Sequence, residues 1–168
     1  MISIVAYNPR WPAVFASLRD GLVGPLRGLA SHIEHVGSTA VPGLAAKDVI
    51  DLTAVVPSLD HLPAVIGRLA PLGYSHEGDL GVTGRHAFTT PAGAPAHHLY
   101  VCAHDNPDFA RVLAFRDYLR THPDTARAYA ELKYFLADRF RDDRAGYTAA
   151  KSAFISRIVT TAMDAGDS

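Results

Sequence analysis

The chain reads as a mixed α/β (α+β) domain: a β-sheet flanked by helices and closed by a helical cap at its C-terminal end. Three observations predict this. Short runs rich in β-branched residues alternate with helical patterning over residues 1–105, and the turn Pro91-Ala-Gly-Ala-Pro95 separates two strand-like runs in the manner of an antiparallel pair. Residues 106–163 then become long, charged and amphipathic. At 168 residues the chain is long enough for one well-buried core and too short for two ordinary domains. All of residues 1–168 are therefore assigned to one unit, with a sheet-rich part at 1–105 and a helical cap at 106–163.

The first element is a helix. After Asn8-Pro9, residues Trp11, Val14, Phe15, Leu18 and Leu22 recur at helical spacing, Pro12 suits an early helical position, and the pattern ends near Gly21 or Gly24-Pro25. Residues 31–36 alternate apolar and polar side chains and stop at Gly37-Ser38, a short strand running into a tight loop. Val49, Ile50, Thr53, Val55 and Val56 make a second, more buried strand that carries Asp51. Ser58 caps a helix from Leu59 to Leu72, whose stripe is Leu62, Val65, Ile66 and Leu69 and whose stop is Gly73. Strands follow at residues 85–90 and 97–103. Helices are expected at 108–120, 123–140 and 145–163, punctuated by Pro107, Pro123 and Gly146, and residues 164–168 read as a frayed tail.

Composition narrows function by exclusion. The formal charge is -1, and 16 Lys+Arg against 17 Asp+Glu lacks the basic excess of a protein that neutralises many phosphates, so general nucleic-acid binding is not expected. No run approaches the ~18 apolar residues of a membrane span. Cys102 is the only cysteine, which excludes a disulfide framework and a cysteine-rich metal site and suits a reducing compartment. The N-terminal residues show no charged segment followed by a longer apolar stretch, so a cytoplasmic location is expected.

The sharpest chemical feature is Gly37-Ser38 at the end of one strand, followed by Asp51 inside the next. A glycine lets backbone amides approach a phosphate closely, and Ser38 adds a hydroxyl donor. Asp51, held on a rigid strand, can carry Mg²⁺, which takes carboxylate oxygens and shares its other positions with phosphates and water. The competing reading is a plain turn and an aspartate paired with Lys47, Arg85 or another cation, since a carboxylate among Ile50, Leu52 and Val55 must be compensated. Among nine histidines, His61, His76, His104 and His122 lie near turns or helix ends and are assigned to solvent or capping. His35 immediately precedes the loop and is either functional or a half-buried ring bonded to backbone. His97 and His98 point to opposite faces of a strand, so at most one of them faces Asp51.

The run His35-Val-Gly-Ser-Thr-Ala-Val-Pro-Gly-Leu-Ala-Ala-Lys47 followed by Val49-Ile-Asp-Leu52 resembles the signature of the GrpB family. The resemblance continues through Gly84-Arg85, His97-His-Leu-Tyr-Val101, Phe115-Arg-Asp-Tyr-Leu-Arg120, Leu132-Lys133 and Ala150-Lys151, and covers residues 5–160. It implies the fold of the polymerase-β-like nucleotidyltransferases. In that superfamily a Gly-Ser pair binds the triphosphate, two carboxylates spaced Asp-x-Asp hold two metals, and a later strand supplies a third carboxylate. Gly37, Ser38 and Asp51 match. The second carboxylate position is Thr53, however, and the later strand offers His98 and Tyr100, so one metal is implied, held by Asp51 and His98 with Glu77 as a further candidate. Mg²⁺ or Mn²⁺ is expected, with Zn²⁺ or Fe²⁺ as ions that an Asp/His set also suits.

The same resemblance assigns Gly37, Ser38, Thr39, Lys47, Arg85, Arg116 and Lys133 to nucleotide or phosphate binding, with Arg85 at the leaving pyrophosphate. Arg116 has an alternative in an ion pair with Asp117, Asp108 or Asp124, and Lys133 in a solvated helix face. The function implied is a metal-dependent nucleotidyltransferase acting on a nucleoside triphosphate, or another phosphorylated small molecule, and an acceptor, with Asp51, His98 and Glu77 as catalytic residues. Two alternatives stand beside it. One is a catalytically degenerate phospholigand-binding module that assists a partner enzyme, in keeping with GrpB relatives fused to dephospho-coenzyme A kinase. The other is a divergent metal-assisted enzyme acting on a small amino-acid-like substrate.

Overall fold

The structure, a computed structural model, describes residues 1–166. Its strands are β1 (His32–Val36), β2 (Ile50–Val56), β3 (Ser75–Gly78), β4 (His86–Thr89) and β5 (His97–Ala103), forming one sheet in the order β1-β2-β5-β4-β3. The central pair, β2 and β5, is parallel, and every other neighbouring pair is antiparallel. Parallel pairing needs a long crossover. Here it is supplied by helix α2 (Leu62–Leu69) and the β3-β4 hairpin. The resulting register sets Asp51 beside His98 and Thr53 beside Tyr100, with Val36 of β1 opposite Asp51 on the other side.

Strand alternation gives the two sheet faces different duties. Leu52, Ala54 and Val56 share one face with Leu99, Val101 and Phe88, and α1 (Trp11–Val23) and α2 cover it with Trp11, Leu22, Val65 and Leu69. All of these side chains are buried, and at about 25 cal/mol per Å² of apolar area removed from water this layer carries most of the hydrophobic stabilisation. Asp51, Thr53 and Val55 face the other way with His98, Tyr100 and Cys102. Helix α3 (Pro107–Thr121) covers part of that face, packing Phe109 and Val112 onto Val36, Val55 and Cys102. Helices α4 (Pro123–Phe140) and α5 (Arg144–Gly166) complete the cap, and Tyr129, Leu119 and Phe154 close over Val41 and Leu44 of the segment between β1 and β2.

The expected mixed sheet, its antiparallel pair and its helical cap are all present. Three details differ. β3 was not expected, because Ser75-His-Glu-Gly78 is a largely exposed edge strand without apolar alternation. The helix capped by Ser58 is α-helical only over Leu62–Leu69, with a single tight turn at each end, Leu59–His61 before it and Ala70–Leu72, which holds Pro71, after it. Residues 164–166 belong to α5 rather than to a frayed tail, and residues 167–168 lie outside the described part. No helix of the described residues is long and apolar enough to cross a membrane.

Candidate functional site

The site begins where β1 ends. Gly37 turns the chain away from the sheet with φ +74°, and a Cβ added there would overlap Asp51 Oδ2 and lie 3.2 Å from its Cγ. Glycine is thus demanded twice, by backbone conformation and by the carboxylate packed against it. The bend closes through Ala40 N–H donating to Gly37 O and Val41 N–H to Ser38 O, both at 3.1 Å. His35 braces it from within the fold. Its Nε2 lies 2.9 Å from Thr39 Oγ1 and its ring stacks on Phe15 at 4.6 Å between centroids. Burial, helped by the nearby Arg120 charge, lowers its pKa to about 4, so the ring is neutral at pH 7. Farther on, Trp11 Nε1 donates to Asp48 Oδ1 at 2.7 Å and an isolated bridge joins Val5 to Ala46, which anchors the segment bearing Lys47.

Asp51 stands between two cavities. Its Oδ1 is 2.7 Å from His98 Nδ1, and this hydrogen bond raises the imidazole pKa against the opposing effect of burial. On one side is a cavity of about 160 Å³ lined by Ser38, Thr39, His98, Lys47, Lys133, Lys151 and Tyr147. The chain has only three lysines, and these are all of them. They come from three separate places: the β1-β2 segment, α4 and α5. Lys133 is 2% exposed and donates to Ala45 O, with its ammonium 4.7 Å from the Tyr129 ring centroid. The ammonium groups of Lys47 and Lys151 lie 4.7 and 4.4 Å from the Tyr147 ring centroid.

None of the three lysines forms an ion pair among the described residues. Burial first, and repulsion from its fellow lysines second, pulls Lys133 down to about 7, and burial with repulsion from Lys47 pulls Lys151 down to about 8. Lys47 is lowered as well, by burial and then by Arg144. The Tyr147 hydroxyl is buried without a hydrogen-bond partner. Three lysines, an orphaned phenol and the Ser38 hydroxyl form a donor-rich cavity in which Asp51 is the one carboxylate among the lining residues.

The second cavity, about 200 Å³, lies across Asp51 and has an apolar wall of Val36, Cys102, Phe109 and Val112, with Thr53, Arg85, Tyr100, Asn106 and Asp108 as further polar members beside Asp51. The Arg85 guanidinium lies 4.4 Å from the Tyr100 ring centroid, and its Nε is buried without a partner. Asn106 links this wall to the helix behind it. Its side chain accepts from Phe109 N–H at 3.0 Å, capping α3, and donates to Thr83 O at 3.0 Å, fixing the turn that precedes Arg85.

Of the residues singled out from sequence, Ser38, Thr39, Lys47, Asp51, His98 and Lys133 meet at the first cavity, and Gly37 lines the second. Thr39 does so as a buried residue whose hydroxyl is engaged by His35. Arg85 lies in the second cavity and not among the lysines. Arg116 is a correction to the phosphate-binding assignment: its guanidinium bonds Glu34 at 2.6 Å, Asp117 at 2.8 Å and His35 O at 3.0 Å, and it lines neither cavity. Glu77 sits exposed on edge strand β3 and also lines neither cavity, because that strand is three places from β2 in the sheet. Lys151, one of the basic residues at positions matching the family, joins Lys47 and Lys133 at the first cavity. Asp108, offered by the sequence as a partner for Arg116, lines the second cavity instead, and Tyr147 carries no signal in the sequence that marks it for a site.

For a divalent ion the donor set is sparse. No three His, Cys, Asp or Glu side chains of the described residues surround one point, and the second carboxylate position is the buried hydroxyl of Thr53. A two-metal set does not fit these residues. Asp51 is the one carboxylate lining the first cavity and His98 its one imidazole, so these two residues could contribute to holding a single ion at most.

Comparison with known proteins agrees with this architecture. A UPF0157 protein, PA4798, of Pseudomonas aeruginosa is 39% identical over 98% of this chain and 69% of its own length. The crystal structure of the conserved protein GrpB from Enterococcus faecalis superposes with a TM-score of 0.89 and 32% identity, covering 99% of this chain and all of that one. A structure of the Cid1 poly(U) polymerase bound to MgATP matches with a TM-score of 0.60 and 13% identity over 88% of this chain and 50% of that one, a likeness of nucleotidyltransferase-type fold. The GrpB protein family model matches residues 1–161, and the chain belongs to the GrpB family.

Proposed function

We propose that the chain binds a nucleoside triphosphate with its phosphates in the lysine cavity and transfers the nucleotidyl group to an acceptor approaching Asp51. One observation carries the proposal: every lysine in the chain converges, unpaired, on a small cavity bounded by Ser38 and Asp51. The fold shared with the MgATP-bound polymerase supports it. A divalent cation at Asp51, Mg²⁺ or Mn²⁺ with Zn²⁺ or Fe²⁺ as ions the Asp51-His98 pair also suits, would neutralise charge on the α-phosphate.

The chain's own residues account for the rest. Ser38 and the amides beyond Gly37 orient the phosphate chain. Lys47, Lys133 and Lys151 stabilise the negative charge that accumulates on departing pyrophosphate, and in a cavity this small such fixed charges act with little solvent screening. Asp51, polarised by His98, takes the proton of the acceptor. A second reading, binding without transfer, is favoured by Thr53 at the second carboxylate position.

Thermal unfolding with ATP, CTP, GTP, UTP and inorganic tripolyphosphate, each with and without Mg²⁺, Mn²⁺ or Zn²⁺, tests the proposal. Triphosphates should raise Tm in the parent protein, Lys151→Met should lose most of that rise, and Asp51→Ala should lose its metal-dependent part. Pyrophosphate release then separates transfer from binding alone. If no triphosphate stabilises the parent protein at any metal concentration, the proposal fails.

A further inference from the structure

We propose that the cavity across Asp51 from the lysines is the acceptor site, and that it takes a compact hydroxycarboxylate with an apolar body whose carboxylate is held by Arg85. The acceptor role rests on the nucleotide reading above, whereas the carboxylate recognition does not. Asp51 lines both cavities, so a ligand in the second faces the same carboxylate as phosphates in the first.

Arg85 identifies the anion. It makes no ion pair among the described residues, its Cζ lies over the Tyr100 ring, and its buried Nε has no acceptor. A guanidinium fixed in this way presents a fork that matches a carboxylate. The charge balance excludes a second polyphosphate. Asp51 and Asp108 line this cavity against the single cation Arg85, whereas three lysines line the other. A monoanion is therefore accepted where a polyanion is repelled.

One wall, Val36, Cys102, Phe109 and Val112, is apolar, the Asn106 amide beside it is already engaged by Thr83 O and Phe109 N–H, and burial pushes the Cys102 thiol up to about 11, so it is neutral lining. At about 200 Å³ the space is below that of sites for drug-sized ligands, which suits a small metabolite and not a polymer end. In the transfer, a hydroxyl oxygen of the bound acid bonds to the α-phosphorus as the bond from that phosphorus to pyrophosphate breaks. The electron pair leaves with pyrophosphate, and the hydroxyl proton passes to Asp51.

The test is equilibrium binding, by ligand-observed NMR without nucleotide, of 3-hydroxybutyrate, threonine, 2-hydroxy-4-methylpentanoate and 4-hydroxyphenylacetate, each beside its carboxamide. At least one acid should bind, with its carboxamide weaker by about tenfold or more, the usual size of a lost charge-assisted hydrogen bond. Arg85→Met should lose the same factor and Arg85→Lys part of it, while both keep the triphosphate-induced Tm rise. The inference is overturned if no acid binds, if carboxamides bind equally well, or if Arg85→Met loses the triphosphate effect and keeps acid binding. The carboxamide comparison needs no variant and stands even where Arg85→Met fails to fold. Failure of the nucleotide reading would show separately, as parent protein indifferent to triphosphates while acid binding persists.

Discussion

At Gly37 one hydrogen atom decides whether the site can exist. A left-handed glycine ordinarily costs about 1 kcal/mol when changed to alanine through backbone strain. Gly43 gives the control, because its φ is +82° and nothing lies within 4 Å of an added Cβ. Gly37→Ala, at φ +74° and ψ -173° in a region essentially confined to glycine, suffers backbone strain of its own and a collision with the Asp51 carboxylate as well. It should therefore be less stable than Gly43→Ala by roughly 1–3 kcal/mol, the range for overpacking a filled position. Urea unfolding of the two variants measures the difference, and equal midpoints would show that Asp51 simply moves aside. His35 belongs to the same scale. Held neutral by burial and bonded to Thr39, it positions the bend and lies behind the reacting groups.

Among the elements, α3 does two jobs through the residue that caps it. Asn106 caps the helix and grips Thr83 O, and the close approach of its Nδ2, 2.8 Å from a Cβ added at Gly84, explains why a glycine precedes Arg85. Asn106→Ala should cost about 1–2 kcal/mol as a lost cap. It should also weaken acid binding in the Arg85 cavity while leaving triphosphate stabilisation near the parent value. A variant that loses only stability would separate the cap from the cavity. The helices and central strands were legible from periodicity because each buries one stripe or face. β3 was not, since an exposed edge strand leaves no apolar imprint on its sequence. The site divides in the same way. Gly37, Ser38 and Asp51 lie close in sequence and could be read together. Arg116 was legible in part: its ion pair with the adjacent Asp117 was open to the sequence, whereas its partner Glu34 sits 82 residues away. The lysines could be named one by one as basic candidates, but their meeting in one cavity could not, being assembled only when α4 and α5 fold back over the β1-β2 segment.

Over the whole molecule, an almost neutral chain gathers all three of its lysines, unpaired among the described residues, at one cavity, and this makes stability and binding respond oppositely to pH. The lysines that face one another there are Lys47, Lys133 and Lys151, with Asp51, His98 and Arg144 as the charged groups around them. Lys133 at about 7 and Lys151 at about 8 hold their protons less tightly in the folded chain than at the ordinary 10.5. Above those values the unfolded chain binds more protons, so folded stability should rise with pH. Two groups bound the window. His98, raised by Asp51, contributes stability below 6.5 that is lost as pH rises through its folded value. Cys102, raised from 9 to about 11, favours unfolding once pH exceeds 9. Between pH 8 and 9, then, Tm should increase in the free protein, and Lys151→Met should raise Tm at pH 8 and flatten the slope. Bound tripolyphosphate restores the ammonium protons, so its stabilising effect should be largest at pH 7 and shrink toward pH 9. Unfolding scans at pH 7, 8 and 9 with and without tripolyphosphate measure both trends. A tripolyphosphate effect that grows with pH would mean that the anion binds elsewhere than among the lysines.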